Sequence, residues 1–331
     1  MSEQIKTVEI EKLKLAFVGL GWIGRNRMEA LAGSGLARIC YLVDCDDKRT
    51  CGVDDAVVCS SMNQIDLESV DGIVIATPSA MHAEQALFAL NRGCSVFCQK
   101  PLARTAGECA MVLDAAKRNN KLLGVDFSYR FLQSVQIAKG MIQQGHIGEI
   151  YTVDAVFHNG YGPDKAWFYD KALSGGGCVM DLGVHLIDLV FWMFDFPDLE
   201  NVASRLYSRG TRYNSDRVED HALCSLELSN GTSLRMACSW GLSVGQDALI
   251  EMTFYGTDGT LSIKNVNGSF YDFTLERYFA TRREVLCEPP DPWGSGAIVD
   301  WAQRLSAGQG FNPECEQYHK VSVALDKIYG R

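Results

Sequence analysis

The sequence predicts an α/β protein in two parts. Residues 1–126 read as a doubly wound parallel sheet, and residues 127–331 as an antiparallel sheet with flanking helices. Three observations carry this. A chain of 331 residues exceeds what one hydrophobic core comfortably serves. Up to about residue 126, short continuous apolar runs alternate with helical stripes, as in parallel strands covered on both faces. Beyond it, strand-length runs alternate apolar and polar residues and are separated by turn signals.

Residues 1–12 read as a loose lead-in. Leu13 to Val18 is a buried strand that runs directly into Gly19-Leu20-Gly21-Trp22-Ile23-Gly24, and a helix follows to about Leu31. In that context two glycines let the backbone turn and approach a pyrophosphate, and the third lets helix and strand pack closely. The helix start then offers free N–H groups to the phosphates. An ordinary tight strand–helix turn is the alternative. The next strand, Ile39 to Val43, ends at Asp44, about 20 residues past the third glycine, where a carboxylate bonds the adenosine ribose. That charge repels a 2′-phosphate, so NAD is expected rather than NADP, although Lys48 and Arg49 follow closely. Gly72 to Thr77 is another buried strand, stopped by Pro78. A helix with Ala83, Ala86, Leu87 and Leu90 on one stripe follows, closed by Gly93. Cys94 to Cys98 ends at Gln99-Lys100-Pro101. Thr105 and Glu108 form a capping box ahead of Cys109, Val112, Leu113 and Ala116, and Leu122 to Val125 closes the series. Gly19, Asp44, Thr77, Pro78 and Lys100 all fall at strand ends, the edge where such sheets bind ligands.

In the second part a helix covers about 132–144 and a strand Glu149 to His158. An aromatic loop with Tyr161, Asp164, Trp167, Phe168 and Tyr169 follows. Ser174-Gly175-Gly176-Gly177 then turns into a helix over 178–194 that is apolar on nearly every side, hence buried. Asp181, His185 and Asp188 nevertheless recur on one face of it. Buried ionisable groups are costly unless paired or wetted, so the three suggest a water-accessible cleft; the alternative is a satisfied Asp–His pair in a core. The remaining strands, 202–207, 222–228, 233–240, 249–255, 260–264 and 270–276, read as an antiparallel meander. Helices near 297–305 and 318–328 complete the pattern.

A net charge of −10 without a basic stripe argues against nucleic acid as a partner. The 12 cysteines show no CxxC pair and no zinc spacing, so no metal is expected; they read as buried reduced thiols of a reducing compartment. With no signal-like segment and no run near the ~20 apolar residues of a membrane span, a cytoplasmic protein is expected.

The order of GxGxxG, acidic strand end, Thr77-Pro78-x-x-x-His82, Lys100-Pro101, Tyr129-Arg130, Trp167 and Ser-Gly-Gly-Gly-x-x-x-Asp181-x-Gly-x-His185 resembles the Gfo/Idh/MocA family, the glucose–fructose oxidoreductase and inositol dehydrogenase group. The resemblance implies a Rossmann domain and an α/β domain on a large, mostly antiparallel open sheet. It also implies a nicotinamide cofactor, a homodimer or homotetramer through that sheet, and redox chemistry at a secondary alcohol or ketone of a sugar or cyclitol. It assigns catalysis to Lys100, Asp181 and His185. His185 is the base, Lys100 bonds the reacting oxygen, and Asp181 orients the imidazole or bonds a substrate hydroxyl. Gly19, Gly21, Trp22, Ile23, Gly24, Asp44, Thr77, Pro78, His82, Gln99 and Lys100 would meet the cofactor. Tyr129, Arg130, Tyr161, Asp164 and Trp167 would join Asp181 and His185 around the substrate. Gln99 departs from the family's usual Glu, Arg27 stands for a common His, and the short segment between Asp44 and Gly72 leaves room only for a stub of the second helix. Two other readings stay open: a redox-neutral sugar enzyme that retains its NAD, and a non-catalytic NAD-binding regulator.

Overall fold

A computed structural model describes residues 12–50, 55–214, 217–291 and 293–331. The lead-in expected at residues 1–12 lies outside them except for Lys12. The first sheet has six strands: β1 Leu13–Val18, β2 Ala37–Val43, β3 Val57–Cys59, β4 Gly72–Ile75, β5 Ser95–Cys98 and β6 Leu123–Val125. They run parallel in the order β3-β2-β1-β4-β5-β6. Three helices connect them: α1 Trp22–Ser34, α2 Ser79–Leu90 and α3 Ala106–Arg118. Between β2 and β4 the described residues form only 3₁₀ turns and β3, the stub expected from the short spacing.

Alternate residues of these strands serve two cores, because successive side chains point to opposite faces. Ala16, Val18, Ile73, Ile75, Val96 and Cys98 pack with α2 and α3. Leu15, Phe17, Val74 and Phe97 pack with α1 and with Ala297, Ile298 and Trp301 of α7 (Gly296–Ser306). The strands of the first sheet end at Val125 and those of the second begin at Ile150, while α7 returns to the first sheet. Thr105 caps α3 by accepting the Glu108 N–H at 3.1 Å, but the Glu108 carboxylate bonds the Arg104 N–H, so only half of the capping box forms.

After α4 (Gln133–Gln143) comes the second sheet. Its strands are β7 Ile150–Asn159, β8 Leu199–Ser208, β9 Thr211–Arg212, β10 His221–Leu228, β11 Ser233–Ser239, β12 Ala248–Gly256, β13 Gly259–Asn265, β14 Phe273–Phe279 and β15 Arg282–Cys287. The order is β15-β14-β13-β12-β7-β11-β10-β8-β9, and the β7–β11 pair alone is parallel. This corrects the simple meander: β7 is inserted at the centre, between strands that come later in the chain. A parallel pair needs a crossover, and the chain between β7 and β11 carries the buried helices that cover the sheet.

A short helix α5 (Lys171–Ser174) precedes a π-helical turn, Val179–Gly183, that continues into α6 (Val184–Met193). The stretch Lys171–Met193 is long and apolar enough to cross a membrane, contrary to the expectation that no run approaches that length. Its most apolar window is 89% buried in the fold, so it is a core helix. A last helix, α8 (Glu316–Tyr329), packs on α3, α6 and β8. Cys45 is exposed, Cys40 and Cys287 are half-buried, and the other described cysteines are buried free thiols.

Candidate active site

Each strand of the parallel sheet ends at one cavity of about 960 Å³. Gly19, Asp44, Ser60, Thr77, Gln99 and Asp126 follow β1 to β6 in turn, and all line it. Its opposite wall is made by Asp181, His185, Phe157 and the aromatic loop.

The glycines divide by what a side chain would strike. A Cβ at Gly19 (φ +88°) would lie 2.6 Å from the Ala76 carbonyl, and one at Gly24 2.1 Å from the Gly19 carbonyl oxygen. Those two close the loop onto the sheet; Gly24 does so from outside the cavity lining. A Cβ at Gly21 would meet no protein atom within 4 Å beyond its chain neighbours, and Gly21 lines the cavity, so packing does not require glycine there and its bareness leaves the backbone open to the cavity. With the N-terminus of α1 beside it, this is a cradle that fits a pyrophosphate. Trp22 and Ile23 share the rim, Trp22 stacking on Trp293 at 5.9 Å. The Asp44 carboxylate accepts the N–H groups of Leu20 (2.6 Å) and Asp46 (2.9 Å), with Arg49 3.8 Å away. Thr77 and Pro78 line the wall. The ring nitrogens of His82 lie 2.7 Å from the carbonyls of Thr77 and Pro101, which ties the β4 and β5 ends together.

Lys100 and the core helix meet directly. Lys100 Nζ donates at 2.8 Å both to the Asp181 carbonyl and to Asp181 Oδ1. Trp240 Nε1 donates to Asp181 Oδ2 at 3.1 Å. Asp181 is thus held by Lys100 and Trp240, which corrects the expectation that it orients the His185 ring. His185 is held by packing instead: Tyr129 meets it edge-on at 4.9 Å and Phe157 lies behind. Burial, then the Lys100 charge, then Arg27, keep the imidazole well below its usual titration range, hence neutral. The start of this helix is clamped by Glu219, a fully buried carboxylate that accepts the N–H groups of Gly177 and Val179 and the Tyr329 hydroxyl. A Cβ on Gly177 would fall 1.8 Å from the Glu219 carbonyl oxygen, so only glycine fits there.

Asp188 lies outside the cavity, which corrects the three-residue face. The π turn and the helix twist carry it away, and it pairs with Arg130 through bonds of 2.5 and 2.8 Å at 1% exposure. Arg130 is therefore a structural cation rather than a substrate ligand. Asp188→Asn is expected to cost about 3–5 kcal/mol by leaving a buried guanidinium unpaired. Urea unfolding measures this, and a loss under about 1 kcal/mol would show the pair to be dispensable.

Of the aromatic loop, Asp164, Trp167 and Phe168 line the cavity. Trp167 stacks on Phe168 at 3.8 Å, and Asp164 is exposed and bonded to Lys165. Tyr161 is half exposed against Phe270 and does not line it. Sequence reasoning passed over Asp126, although the strand-end rule that picked Asp44 and Lys100 applies to it directly after β6. Asp126 Oδ2 receives Arg27 Nε at 2.5 Å and the Gln99 amide, while Oδ1 is buried without a partner among the described residues. Trp293 covers the Arg27 guanidinium at 4.8 Å.

Residues 13–127 match the family described as oxidoreductase family, NAD-binding Rossmann fold, and residues 135–262 match the GFO/IDH/MocA C-terminal domain. The chain is 29% identical over 198 residues to D-glucoside 3-dehydrogenase of Escherichia coli (strain K12), covering 56% of each chain. It is 34% identical over 258 residues to levoglucosan dehydrogenase of Pseudarthrobacter phenanthrenivorans, covering 70% of this chain and 66% of that one. The matches thus span between about half and two thirds of these relatives' length. In structure it resembles levoglucosan dehydrogenase in complex with NADH and L-sorbose, with TM-score 0.83, 21% identity and 96% of each chain covered. That likeness carries the fold.

Proposed function

The chain belongs to the GFO/IDH/MocA oxidoreductase family, and from that premise we propose that it is a nicotinamide-dependent oxidoreductase acting on a secondary alcohol or ketone of a sugar, cyclitol or sugar derivative. The observation that carries this is the pairing of Lys100 with Asp181 at 2.8 Å, on the same cavity as His185, Gly19 and Gly21. When bound, the nicotinamide supplies hydride exchange. The loop and the α1 start would hold the pyrophosphate, and Asp44 the adenosine ribose hydroxyls, with its carboxylate favouring NAD over NADP. Lys100 donates to the substrate oxygen and offsets its developing negative charge. Neutral His185 takes the hydroxyl proton in oxidation and returns it in reduction. Asp181 and Trp240 fix the Lys100 ammonium so that it need not reorganise during the reaction. Tyr129 and Trp167 present aromatic faces to the C–H surface of the substrate, and Asp164 accepts from hydroxyls.

Beyond the site, Tyr151, Leu223 and Val285 are exposed on the second sheet, which supports a homodimer or homotetramer through it. The buried free thiols support a cytoplasmic setting.

The test uses purified protein with NAD and a panel of cyclitols, hexoses, uronic acids and aminosugars. Free NADH accumulating with one class is the expected result. Reduction without release would replace this reading by a redox-neutral one. Binding of NAD with no redox change in either direction would leave a regulator, and no nucleotide binding at all would overturn the proposal.

A further inference from the structure

One wall of the cavity is built of ring faces that carry no sequence motif. Phe157 lies beside His185, and the line continues through Phe270 at 6.3 Å from Phe157, Tyr271 at 6.3 Å from Phe270 and Trp293 at 4.5 Å from Tyr271. All four rings line the cavity. Phe270 and Tyr271 belong to the turn between β13 and β14, and Trp293 follows β15. The turn is fixed from beneath. Ser269 Oγ accepts the N–H groups of Tyr271 and Asp272 at 3.1 Å, and the Phe270 carbonyl accepts the Tyr129 hydroxyl at 3.2 Å. Trp293 is held by stacking on Trp22 and by the Arg27 guanidinium. Tyr271 is nevertheless 37% exposed, and its hydroxyl has no hydrogen-bond partner among the described residues. An aromatic ring that is anchored but left open within a cleft marks a place for a ligand rather than a piece of core. The charges nearby are paired within the protein, Lys100 with Asp181 and Arg27 with Asp126, so this wall offers a ligand ring faces and a phenol hydroxyl.

We propose that the substrate is a glycoside, with its reacting ring at Lys100 and His185 and a second, uncharged ring seated on Tyr271 and Trp293, which thereby set specificity for the group attached to the sugar. This rests on the proposed function, since it needs a sugar at Lys100 and His185. The order of the rings gives the placement. Phe157 and Phe270 come first from His185, so Tyr271 and Trp293 lie further along the wall, where a substituent of the reacting sugar would reach. Aryl rings and the C–H faces of a sugar both gain by lying on an aromatic face, and the Tyr271 hydroxyl adds a hydrogen bond for a sugar hydroxyl. A free monosaccharide or cyclitol would leave the platform bare. A phosphate or carboxylate there would lose hydration without meeting an unpaired cation.

The experiment measures NAD reduction with the methyl and phenyl glycosides of glucose and galactose, in both anomers, and with maltose, cellobiose and lactose. Calorimetric NADH binding and thermal unfolding are recorded on the same preparations. The native protein is expected to favour a substrate with a second ring over the matching methyl glycoside by about tenfold in kcat/KM. A preference confined to phenyl glycosides assigns an aryl ring to the platform, and one confined to the disaccharides a sugar ring. Tyr271→Ala is expected to bring the ratio to about twofold or less, through KM, with NADH binding within about threefold of native. Should that variant unfold, Tyr271→Leu keeps the bulk of the side chain and takes its place. The inference is overturned by a native ratio under about threefold, by a ratio that survives loss of the Tyr271 ring, or by a variant that loses NADH binding about tenfold, which would give the wall to the cofactor. Oxidation of free hexoses or cyclitols with none of these glycosides turned over overturns it as well and leaves the proposed function standing. No nucleotide binding at all overturns the proposed function, and this inference with it.

Discussion

Lys100→Met loses turnover, by about a thousandfold or more, while NADH binding stays within a few-fold of native. Preorganised donors aimed at a developing negative charge commonly carry about 10²–10³ in rate each, and Lys100 adds a full charge. Its ammonium is held at 2.8 Å by two oxygens of one residue, the Asp181 carbonyl and carboxylate, and is 19% exposed. Methionine keeps the apolar stem and removes only the head. The effect therefore falls on kcat rather than on the fold. Steady-state kinetics and NADH fluorescence titration on the same preparation test it. Turnover within about tenfold of native would remove Lys100 from the chemistry.

His185→Ala is expected to lower the rate about 10²–10⁴-fold and to change the shape of its pH dependence. The base acts only when unprotonated. Burial, ahead of the Lys100 and Arg27 charges, moves the imidazole well below its ordinary value of 6.5. Oxidation therefore stays on its plateau as pH falls through 6.5 and declines only at clearly lower pH. Ketone reduction needs the protonated ring, so its rate rises as pH falls over the same range. In the alanine variant both trends disappear. The stability linkage has a definite sign as well. Below about 6.5 an unfolded imidazole binds its proton while the native one does not, so this residue's contribution is present above that pH and is lost as pH falls. An acid limb that survives in His185→Ala would make the ring a packing element.

The elements legible in the sequence are those whose signal is local. The strands β1, β2, β4, β5 and β6 are continuous apolar runs, and their ends placed Gly19, Asp44, Thr77 and Lys100 on one edge. β3 escaped notice because it lies at the margin of the sheet with Val57 and Val58 half exposed; β15 is similarly exposed over Arg282–Val285. The insertion of β7 beside β11 was not readable because period-two alternation says which face a residue takes, not which strand it pairs with. Asp181 and His185 were found by helical spacing, but the π turn was not, since a stretch of four or five residues carries no period of its own. The partners of Asp181, Asp188 and Glu219 come from Trp240, Arg130 and Tyr329, between 58 and 110 residues away, and no local pattern announces them.

The return of α7 to the first sheet bears on how this gene could be cut and recombined. A cassette ending after β6 would leave Phe97, Val74 and Phe17 facing solvent where Trp301 and Ile298 now lie. Grafting this nucleotide-binding half onto another substrate half would require residues 296–306 to travel with it, or an equivalent helix to be supplied by the new host.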